Sequence, residues 1–171
     1  MIRLACFSDL NRVKEIAEAC AEHMISKNIY QWNEHYPSKE VFKNDIENKE
    51  LYVTEINDLI VGCVMFSKKK DELYNKIDWL TSDPENLYIH RLAVHPKNQN
   101  MGIARSMMDF TEAEAVKLNC ESVRLDTFSK NPRNSRFYKA RGYVQLGNVY
   151  FPRQSKFPFF CFEKVLKNKR S

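Results

Sequence analysis

The stretch LYIHRLAVHPKNQNMGIARSMMDF, residues 87–110, contains the pattern that decides the fold. Residues 87–94 are apolar enough to form a strand, which the following His-Pro pair ends. The chain then reaches Gly102 and opens directly onto an amphipathic helix, predicted over about residues 102–119. The apolar positions of this helix form a wide stripe that suits packing across a sheet, and they include Ala104, Met108, Ala115 and Leu118. Backbone N–H groups and the positive end of the helix dipole meet at such a turn and favour an anion, although an ordinary strand-to-helix turn has the same local pattern.

The rest of the chain supplies the elements that surround this stretch. In chain order they are a strand at residues 1–6, helices at about 9–27 and 38–48, a hairpin of strands at 51–56 and 59–66, the strand at 87–94, the helix at 102–119, a strand at 122–127, a helix at about 133–140, and strands at 143–150 and 157–166. The order β-α-α-β-β-β-α-β-α-β-β predicts an α/β (α+β) fold with a mixed, mostly antiparallel sheet of six to seven strands and helices on both faces. Because no repeat or low-complexity segment interrupts the chain, we expect residues 1–171 to form a single domain.

The composition excludes several kinds of site. The chain has four glycines, which are too few and too far apart to form a dinucleotide fingerprint, a Walker phosphate loop or a nucleophile elbow. No histidines, cysteines or acidic residues have the spacing of a metal site, so we expect no metal cofactor. The longest apolar run, residues 60–66, is too short to cross a bilayer, and we expect no membrane partner.

The net charge of +5 would suit an anionic ligand and raises nucleic-acid binding as an alternative. The basic residues that motivate this alternative are Lys164, Lys167, Lys169 and Arg170. No RNA-binding motif accompanies them, so we expect no nucleic-acid partner. Five cysteines without C-x-x-C spacing, and a first segment that does not read as an export signal, predict buried free thiols and a cytoplasmic location.

Two motifs resemble the signatures of the Gcn5-related N-acetyltransferase (GNAT) superfamily. Residues 99–104, QNMGIA, look like its Q/R-x-x-G-x-G/A motif and follow a strand, as they do in that family. Residues 131–143, NPRNSRFYKARGY, are similar to its second signature, in which Asn131 precedes Tyr138 by seven residues and a Gly-aromatic pair follows. Since the order of elements also matches, the resemblance covers essentially the whole chain.

This resemblance implies an enzyme that transfers an acetyl group directly from acetyl-CoA to a primary amine. In the family the pyrophosphate binds the amides of the motif loop, and the pantetheine arm pairs with the preceding strand like an added strand. That strand splays from the next one, here 122–127, and leaves a slot for the cofactor. The cofactor-binding residues implied are Leu92, Ala93, Val94, Gln99, Asn100, Met101, Gly102, Ile103, Ala104, Arg105, Asn131 and Tyr138.

The catalytic residues implied are Tyr138 and, with an open alternative, His90. The Tyr138 hydroxyl would lie near the sulfur and either donate a proton or hydrogen-bond the thiolate, unless Tyr138 only packs as an aromatic. The glutamate that often acts as base in the family falls at Tyr88 here. His90 lies two residues on, on the same face of the strand, and either relays a proton from the amine or is simply a half-buried strand histidine.

The sequence departs from the family pattern in ways that bear on function. Asn100 stands where glycine is usual, and we expect cofactor binding to survive because asparagine tolerates left-handed backbone. Met101 stands where Lys or Arg is common, and Asn134 where a small Ala is usual, which leaves the packing of that helix open. Because the strand glutamate is missing, a catalytically silent sensor that binds CoA is the alternative to an enzyme.

The acceptor is implied to enter beside two aromatic loops, residues 28–37 and 150–159. Aromatic walls suit a small cationic amine, whereas Arg153 would suit the carboxylate of an amino acid, and packing at the sheet edge is the alternative for each residue. The substrate-binding candidates are Tyr30, Trp32, Tyr36, Tyr88, Tyr150 and Arg153. We expect a small-molecule amine as the substrate, and a homodimer is one expectation because the family often forms dimers.

Overall fold

Residues 1–166 are the part of the chain that the computed structural model describes, and they form seven strands and four α-helices in the predicted order. The strands are β1 (Ile2–Leu4), β2 (Leu51–Ile56), β3 (Leu59–Ser67), β4 (Asn86–Val94), β5 (Ser122–Phe128), β6 (Val144–Val149) and β7 (Phe159–Val165). The helices are α1 (Leu10–Ile25), α2 (Lys39–Glu47), α3 (Ile103–Lys117) and α4 (Pro132–Ala140), with short 3-10 helices at Phe7–Asp9, Glu72–Lys76 and Pro96–Asn98. The predicted α/β (α+β) fold is therefore confirmed.

The strands belong to one sheet in the order β1-β2-β3-β4-β5-β7-β6. The pairs β1–β2, β2–β3, β5–β7 and β6–β7 are antiparallel, whereas β4 pairs with β5 in parallel. The parallel register begins with Asn86 opposite Ser122 and ends with Ile89 opposite Leu125, although β4 itself continues to Val94. The sheet is thus mixed and mostly antiparallel, as predicted.

Residues with left-handed backbone lie in the β2–β3 turn and just after the helices α3 and α4. The β2–β3 hairpin turns on Asn57 and Asp58, whose φ angles are 49° and 61°, the backbone of a tight hairpin turn. Asn119, with a φ of 56°, ends α3 two residues earlier than predicted, so Leu118 is exposed and the prediction that it belongs to the apolar stripe is wrong. Gly142, with a φ of 87°, ends α4 as the sequence predicts.

The chain divides into two compact units, and the first consists of Met1–Phe66 and Arg91–Phe110. Its core packs apolar side chains of α1 and α2 against β2 and β3, including Ile16, Phe42 and Leu51. One buried ion pair accompanies this core, since Arg91 Nη2 donates to Asp45 Oδ1 at 2.6 Å and both side chains are nearly inaccessible. A charge in such a place is tolerated only when it is paired.

The second unit consists of Ser67–His90 and the described part of Thr111–Ser171. At its centre the fully buried Arg124 donates to Glu163 Oε1 at 3.0 Å and to Asp83 Oδ1 at 2.7 Å. Its guanidinium also lies 4.6 Å from the centroid of the Trp79 ring. The single domain over residues 1–171 stays a prediction.

The five cysteines are all free, but only four of them are buried. Cys6 is exposed, so the prediction of a buried thiol is wrong at this position. The reason is that β1 ends at Leu4, so Cys6 lies outside the strand and directly before the 3-10 helix at Phe7–Asp9. The backbone N–H of Cys6 donates to the Asp9 carboxylate at 2.9 Å.

Within residues 1–166, no helix combines the length and the apolar character needed to cross a bilayer. The cytoplasmic location and the absence of a membrane partner stay predictions. Of the basic residues near the end of the chain, Lys164 donates to Glu112 Oε2 at 2.7 Å. Lys167, Lys169 and Arg170 lie outside the described residues, and the absence of a nucleic-acid partner stays a prediction.

Gly62 lies inside β3 where three elements of the first unit pack closely. A Cβ atom at this position would lie 2.8 Å from the backbone oxygen of Ala93 in β4 and 3.0 Å from Cε of Met107 in α3. Only a residue without a side chain fits this approach.

We expect Gly62→Ala to lower the free energy of unfolding by about 1–3 kcal/mol, because the new methyl group would clash with a backbone oxygen that cannot move alone. Urea denaturation measures this change. Gly147→Ala is the matched control, since its Cβ would meet only the far end of the flexible Ile77 side chain, at 2.8 Å. Equal losses for the two variants would contradict the packing argument.

Candidate active site

The turn between β4 and α3 contains two left-handed residues. Asn100 has a φ of 64° and Gly102 a φ of 79°. Glycine adopts this conformation freely, and asparagine adopts it more readily than other residues. The left-handed backbone expected at Asn100 is present, whereas the survival of cofactor binding stays a prediction. The carbonyl of Gly102 accepts the N–H of Ser106 at 3.0 Å, which makes Gly102 the residue from which α3 starts. The first N–H groups of the helix have no carbonyl partner within it and point towards this turn.

The turn is open on its outer side. A Cβ atom built on Gly102 would find no atom within 4 Å, in contrast to the crowded Gly62. Met101 is 64% exposed and lines a surface groove with Gly102, Ser106 and Phe110. Ile103 is buried, Ala104 is half-buried and Arg105 is exposed. An anion could therefore approach the backbone here without displacing a side chain.

Hydrogen bonds to the end of β4 hold the turn in place. The Val94 carbonyl accepts the Cys20 thiol at 3.2 Å and Gln99 Nε2 at 3.1 Å. The N–H of Gln99 donates to Pro96 O at 3.3 Å, so this predicted phosphate-binding amide already has a partner. Among the predicted pantetheine-binding residues, Leu92 is half-buried, whereas Ala93 and Val94 are buried.

Asn131, a predicted cofactor contact in the second unit, caps a helix. Its side-chain oxygen accepts the N–H of Asn134 at 3.3 Å at the start of α4, and the whole residue is buried. Asn134, which stands where the family has a small residue, donates from Nδ2 to Thr127 Oγ1 at 3.3 Å. Both asparagines therefore fix the angle at which α4 leaves β5.

Tyr138 lies on α4 and is only 6% exposed. Its ring contacts the rings of Phe137, Tyr143 and Phe162, with centroids 5.3 to 5.9 Å away. Burial, together with the negative charge of Asp126, raises the pKa of Tyr138 above its usual value. Because its pKa is raised, the phenol is protonated near neutral pH. No residue in 1–166 hydrogen-bonds its hydroxyl, so this hydroxyl can donate to a ligand.

Tyr88 and His90 occupy the same face of β4, as the alternation predicts. Their rings are 6.5 Å apart and nearly parallel. Tyr88 is 2% exposed, and its hydroxyl accepts from Arg124 Nη1 at 3.0 Å and lies 3.3 Å from Asp83 Oδ1. His90 is half-buried, with Nε2 3.2 Å from the carbonyl oxygen of Lys69. Tyr88 thus belongs to the buried network of Arg124.

The other substrate-binding candidates differ in exposure. In the first unit, Tyr30 is 56% exposed, whereas Trp32 packs in the core and Tyr36 is half-buried near Arg91. In the second unit, Tyr150 is 54% exposed and Arg153 is exposed. Tyr30, Tyr150 and Arg153 are therefore the candidates that a ligand could reach directly.

Asp126 is a residue that sequence reasoning missed. It lies on β5, one position after the parallel register with β4 ends, and the Tyr74 hydroxyl donates to its Oδ2. Burial raises the pKa of the Asp126 carboxyl to about 6, partly offset by the Tyr74 hydrogen bond. The signal available in the sequence was a lone carboxylate in the strand SVRLDTF, which a surface position would explain equally well.

Residues 1–166 contain no group of three or more His, Cys, Asp or Glu side chains arranged to hold a metal ion. The absence of a metal cofactor stays a prediction.

Comparisons with known proteins identify the family. A model of the acetyltransferase (GNAT) family matches residues 10–143. A candidate acetyltransferase from Staphylococcus aureus Mu50 is 28% identical, with a TM-score of 0.76 over 98% of this chain and 99% of that chain. A GNAT-family acetyltransferase from Streptococcus agalactiae 2603 is 21% identical, with a TM-score of 0.81 over 98% and 95% of the two chains. The candidate acetyltransferase YncA from Salmonella typhimurium, solved with its cofactor acetyl-CoA, is 17% identical, with a TM-score of 0.70 over 100% and 96%.

Among curated protein sequences, none matches this chain. The family match covers more than half of the sequence, and the solved structures share the whole fold. The chain therefore belongs to the GNAT family, and it is an acetyltransferase of that family, as the resemblance of its two motifs predicts.

Variants of Asn131 separate helix capping from cofactor binding. We expect Asn131→Ala to lower the free energy of unfolding by about 1 kcal/mol through loss of the cap, whereas Asn131→Asp keeps the cap and the stability. If Asn131 also contacts CoA, the aspartate variant should bind CoA more weakly because its new charge repels an anionic ligand. Urea denaturation and calorimetry measure the two effects, and unchanged CoA affinity in Asn131→Asp would leave only the capping role.

Proposed function

We propose that this acetyltransferase moves the acetyl group of acetyl-CoA directly to the primary amine of a small molecule. The observation that carries the proposal is the turn of Asn100 and Gly102, where two left-handed residues precede the N-terminus of α3. Backbone N–H groups at such a turn, backed by the helix dipole, bind phosphate oxygens.

The residues of the turn fit a diphosphate. The open space outside Gly102 and the exposure of Met101 leave room for it, and Arg105 adds an exposed positive charge on the first turn of α3. We assign the pyrophosphate to the amides that follow Asn100 rather than to that of Gln99, which donates to Pro96 O. The backbone of residues 92–94 would hold the pantetheine arm.

Acetyl-CoA, when bound, supplies the acetyl group as a thioester whose carbonyl carbon accepts the amine and whose sulfur leaves. Tyr138 is assigned to the sulfur. Since its pKa is raised above that of an ordinary phenol, Tyr138 is a far weaker acid than a thiol with a pKa of about 8.5. Of the two roles left open by the sequence, the structure therefore favours a hydrogen bond to the thiolate over full proton transfer.

The acceptor is proposed to be a small amine because the two loops that the family resemblance implies for acceptor binding, residues 28–37 and 150–159, contain bulky aromatic residues that would narrow an entrance. Tyr30 and Tyr150 are both more than half exposed, and the face of a tyrosine ring attracts an ammonium group. The exposed Arg153 would bind a carboxylate if the amine belongs to an amino acid. A homodimer stays a prediction.

The phosphate assignment is tested at Gly102. We expect Gly102→Glu to abolish binding of acetyl-CoA in calorimetry, because both a left-handed side chain and a negative charge enter the phosphate cradle. Gly102→Gln is the matched control, since it has the same shape and the same backbone strain but no charge, and it should retain weakened binding. Equal affinities of Glu and Gln variants would contradict a phosphate at this turn.

The transfer reaction is tested by thiol release from acetyl-CoA with 2-phenylethylamine, 1,4-diaminobutane and L-phenylalanine as acceptors. We expect Tyr138→Phe to lower kcat by about 10- to 100-fold, because it removes one hydrogen bond to a developing negative charge. Its affinity for CoA and its thermal stability should change little, since the ring packing is kept. CoA binding without turnover of any of the three amines would instead favour the silent sensor.

A further inference from the structure

Among residues 1–166, Asp126 differs from the buried carboxylates Asp9, Asp45 and Glu163 in having no ion-pair partner. The buried carboxylates Asp9, Asp45 and Glu163 each bond an arginine, namely Arg3, Arg91 and Arg124. Asp126 is half-buried, and within residues 1–166 it forms no ion pair. A carboxylate removed from water without a counterion is costly, and such groups are concentrated at functional sites.

One oxygen of this carboxylate is held and the other is available. The hydroxyl of Tyr74 donates to Oδ2, and among the described residues no donor reaches Oδ1. Tyr74 is itself fixed, because it is 1% exposed, its ring packs on Trp79 and Tyr88 at 5.2 and 5.9 Å, and its carbonyl accepts Trp79 Nε1 at 3.0 Å. The carboxylate is therefore oriented by a rigid partner with one acceptor oxygen unused.

Four titratable groups face Asp126 from the elements around it. Tyr74 lies on the 3-10 helix Glu72–Lys76, and Asp71 immediately precedes that helix. Cys161 stands directly opposite on β7, and burial raises the pKa of its thiol, so it adds no charge near neutrality. Tyr138 on α4 is close enough for the charge of Asp126 to raise its pKa. The carboxylate is thus an electrostatic neighbour of the residue assigned to the sulfur.

These groups set the basicity of Asp126 in opposite directions. Burial raises the pKa of the carboxyl, the Tyr74 hydrogen bond lowers it, and the negative charge of Asp71 raises it, with a result of about 6. A base with a pKa somewhat below the working pH is mostly ionised and still accepts a proton effectively.

We propose that Asp126 is the general base of the reaction, with Oδ1 receiving the ammonium group of the acceptor. This inference rests on the proposed function. The carboxylate takes one proton from the ammonium nitrogen, whose freed electron pair forms the new C–N bond as the C–S bond breaks. The second proton lost by the nitrogen ends on the released thiol, and the proton on Asp126 passes to solvent. Asp126 then fills the role for which the sequence suggested His90.

The first test compares the wild type with Asp126→Asn, using 2-phenylethylamine or whichever of the three amines the wild type acetylates fastest. We expect kcat/KM of the wild type to fall as the pH is lowered, with a midpoint near pH 6, and we call this fall the acid limb of the pH profile. Asp126→Asn should lose about 10²- to 10⁴-fold in kcat/KM at pH 8 and should lose this acid limb. Its affinity for CoA should be unchanged.

The second test shifts the pKa of Asp126 and keeps its carboxylate. Tyr74→Phe deletes the hydrogen bond that lowers the pKa of Asp126, so the pKa should rise and the acid limb should move to higher pH. Asp71→Asn deletes the charge that raises it, so the limb should move to lower pH, and asparagine can still accept the Leu73 N–H that Asp71 now accepts at 2.8 Å. Titration of ¹³C-labelled aspartate in the free protein reads the same two shifts by NMR, independently of activity.

The outcomes separate this inference from the proposed function. If the wild type binds no CoA or acetylates none of the three amines, the proposed function fails and the role of Asp126 fails with it. Asp126 is not the base if the wild type is active and the acid limb survives in Asp126→Asn. The same conclusion holds if the NMR titration of Asp126 moves in Tyr74→Phe and Asp71→Asn while the acid limb of kcat/KM stays in place. Should Asp126→Asn not fold, the opposite shifts in the other two variants decide alone.

Discussion

The backbone conformation of Asn100 and Gly102 is the constraint on which the functional part of the fold depends. Eight residues connect β4 to α3, and two of them are left-handed. The Val94 carbonyl accepts hydrogen bonds from Gln99 in this connection and from Cys20 in α1. A longer connection would move the start of α3 away from the end of β4 and disperse the N–H groups that the proposed phosphate site needs. The space outside this turn is open, since a Cβ atom at Gly102 would find no atom within 4 Å.

The buried charges of the second unit divide into structural and chemically available groups. Arg124 has partners on several sides, including Glu163, Asp83 and the ring of Trp79, and it keeps Tyr88 in the same network. Asp126 lies two residues away on β5, and among residues 1–166 the Tyr74 hydroxyl is the one side-chain donor to its carboxylate. A fully satisfied network stabilises the fold, whereas a carboxylate with one free oxygen keeps its basicity for a ligand.

Much of this arrangement is visible in the sequence because it depends on local chemistry. Hydrophobic periodicity predicts the eleven strands and helices, Asn57-Asp58 predicts the hairpin, and Gly102 with the motif around it predicts the turn and the family. The solvent exposure of individual side chains is harder to predict from the local sequence pattern. Cys6 and Leu118 lie at the surface because β1 and α3 end early, and such ends depend on competing caps within one or two residues.

The sequence by itself determined the class of protein, since the order of elements and two short motifs depend only on residues that are close along the chain. The tertiary structure alone decided which polar residues are engaged and which are available. Tyr74 and Asp126 are 52 positions apart, and Tyr88 meets Arg124 across 36 positions. Burial and hydrogen-bond partners at such separations depend on how the strands pair, and those long-range contacts give a carboxylate or a phenol its pKa.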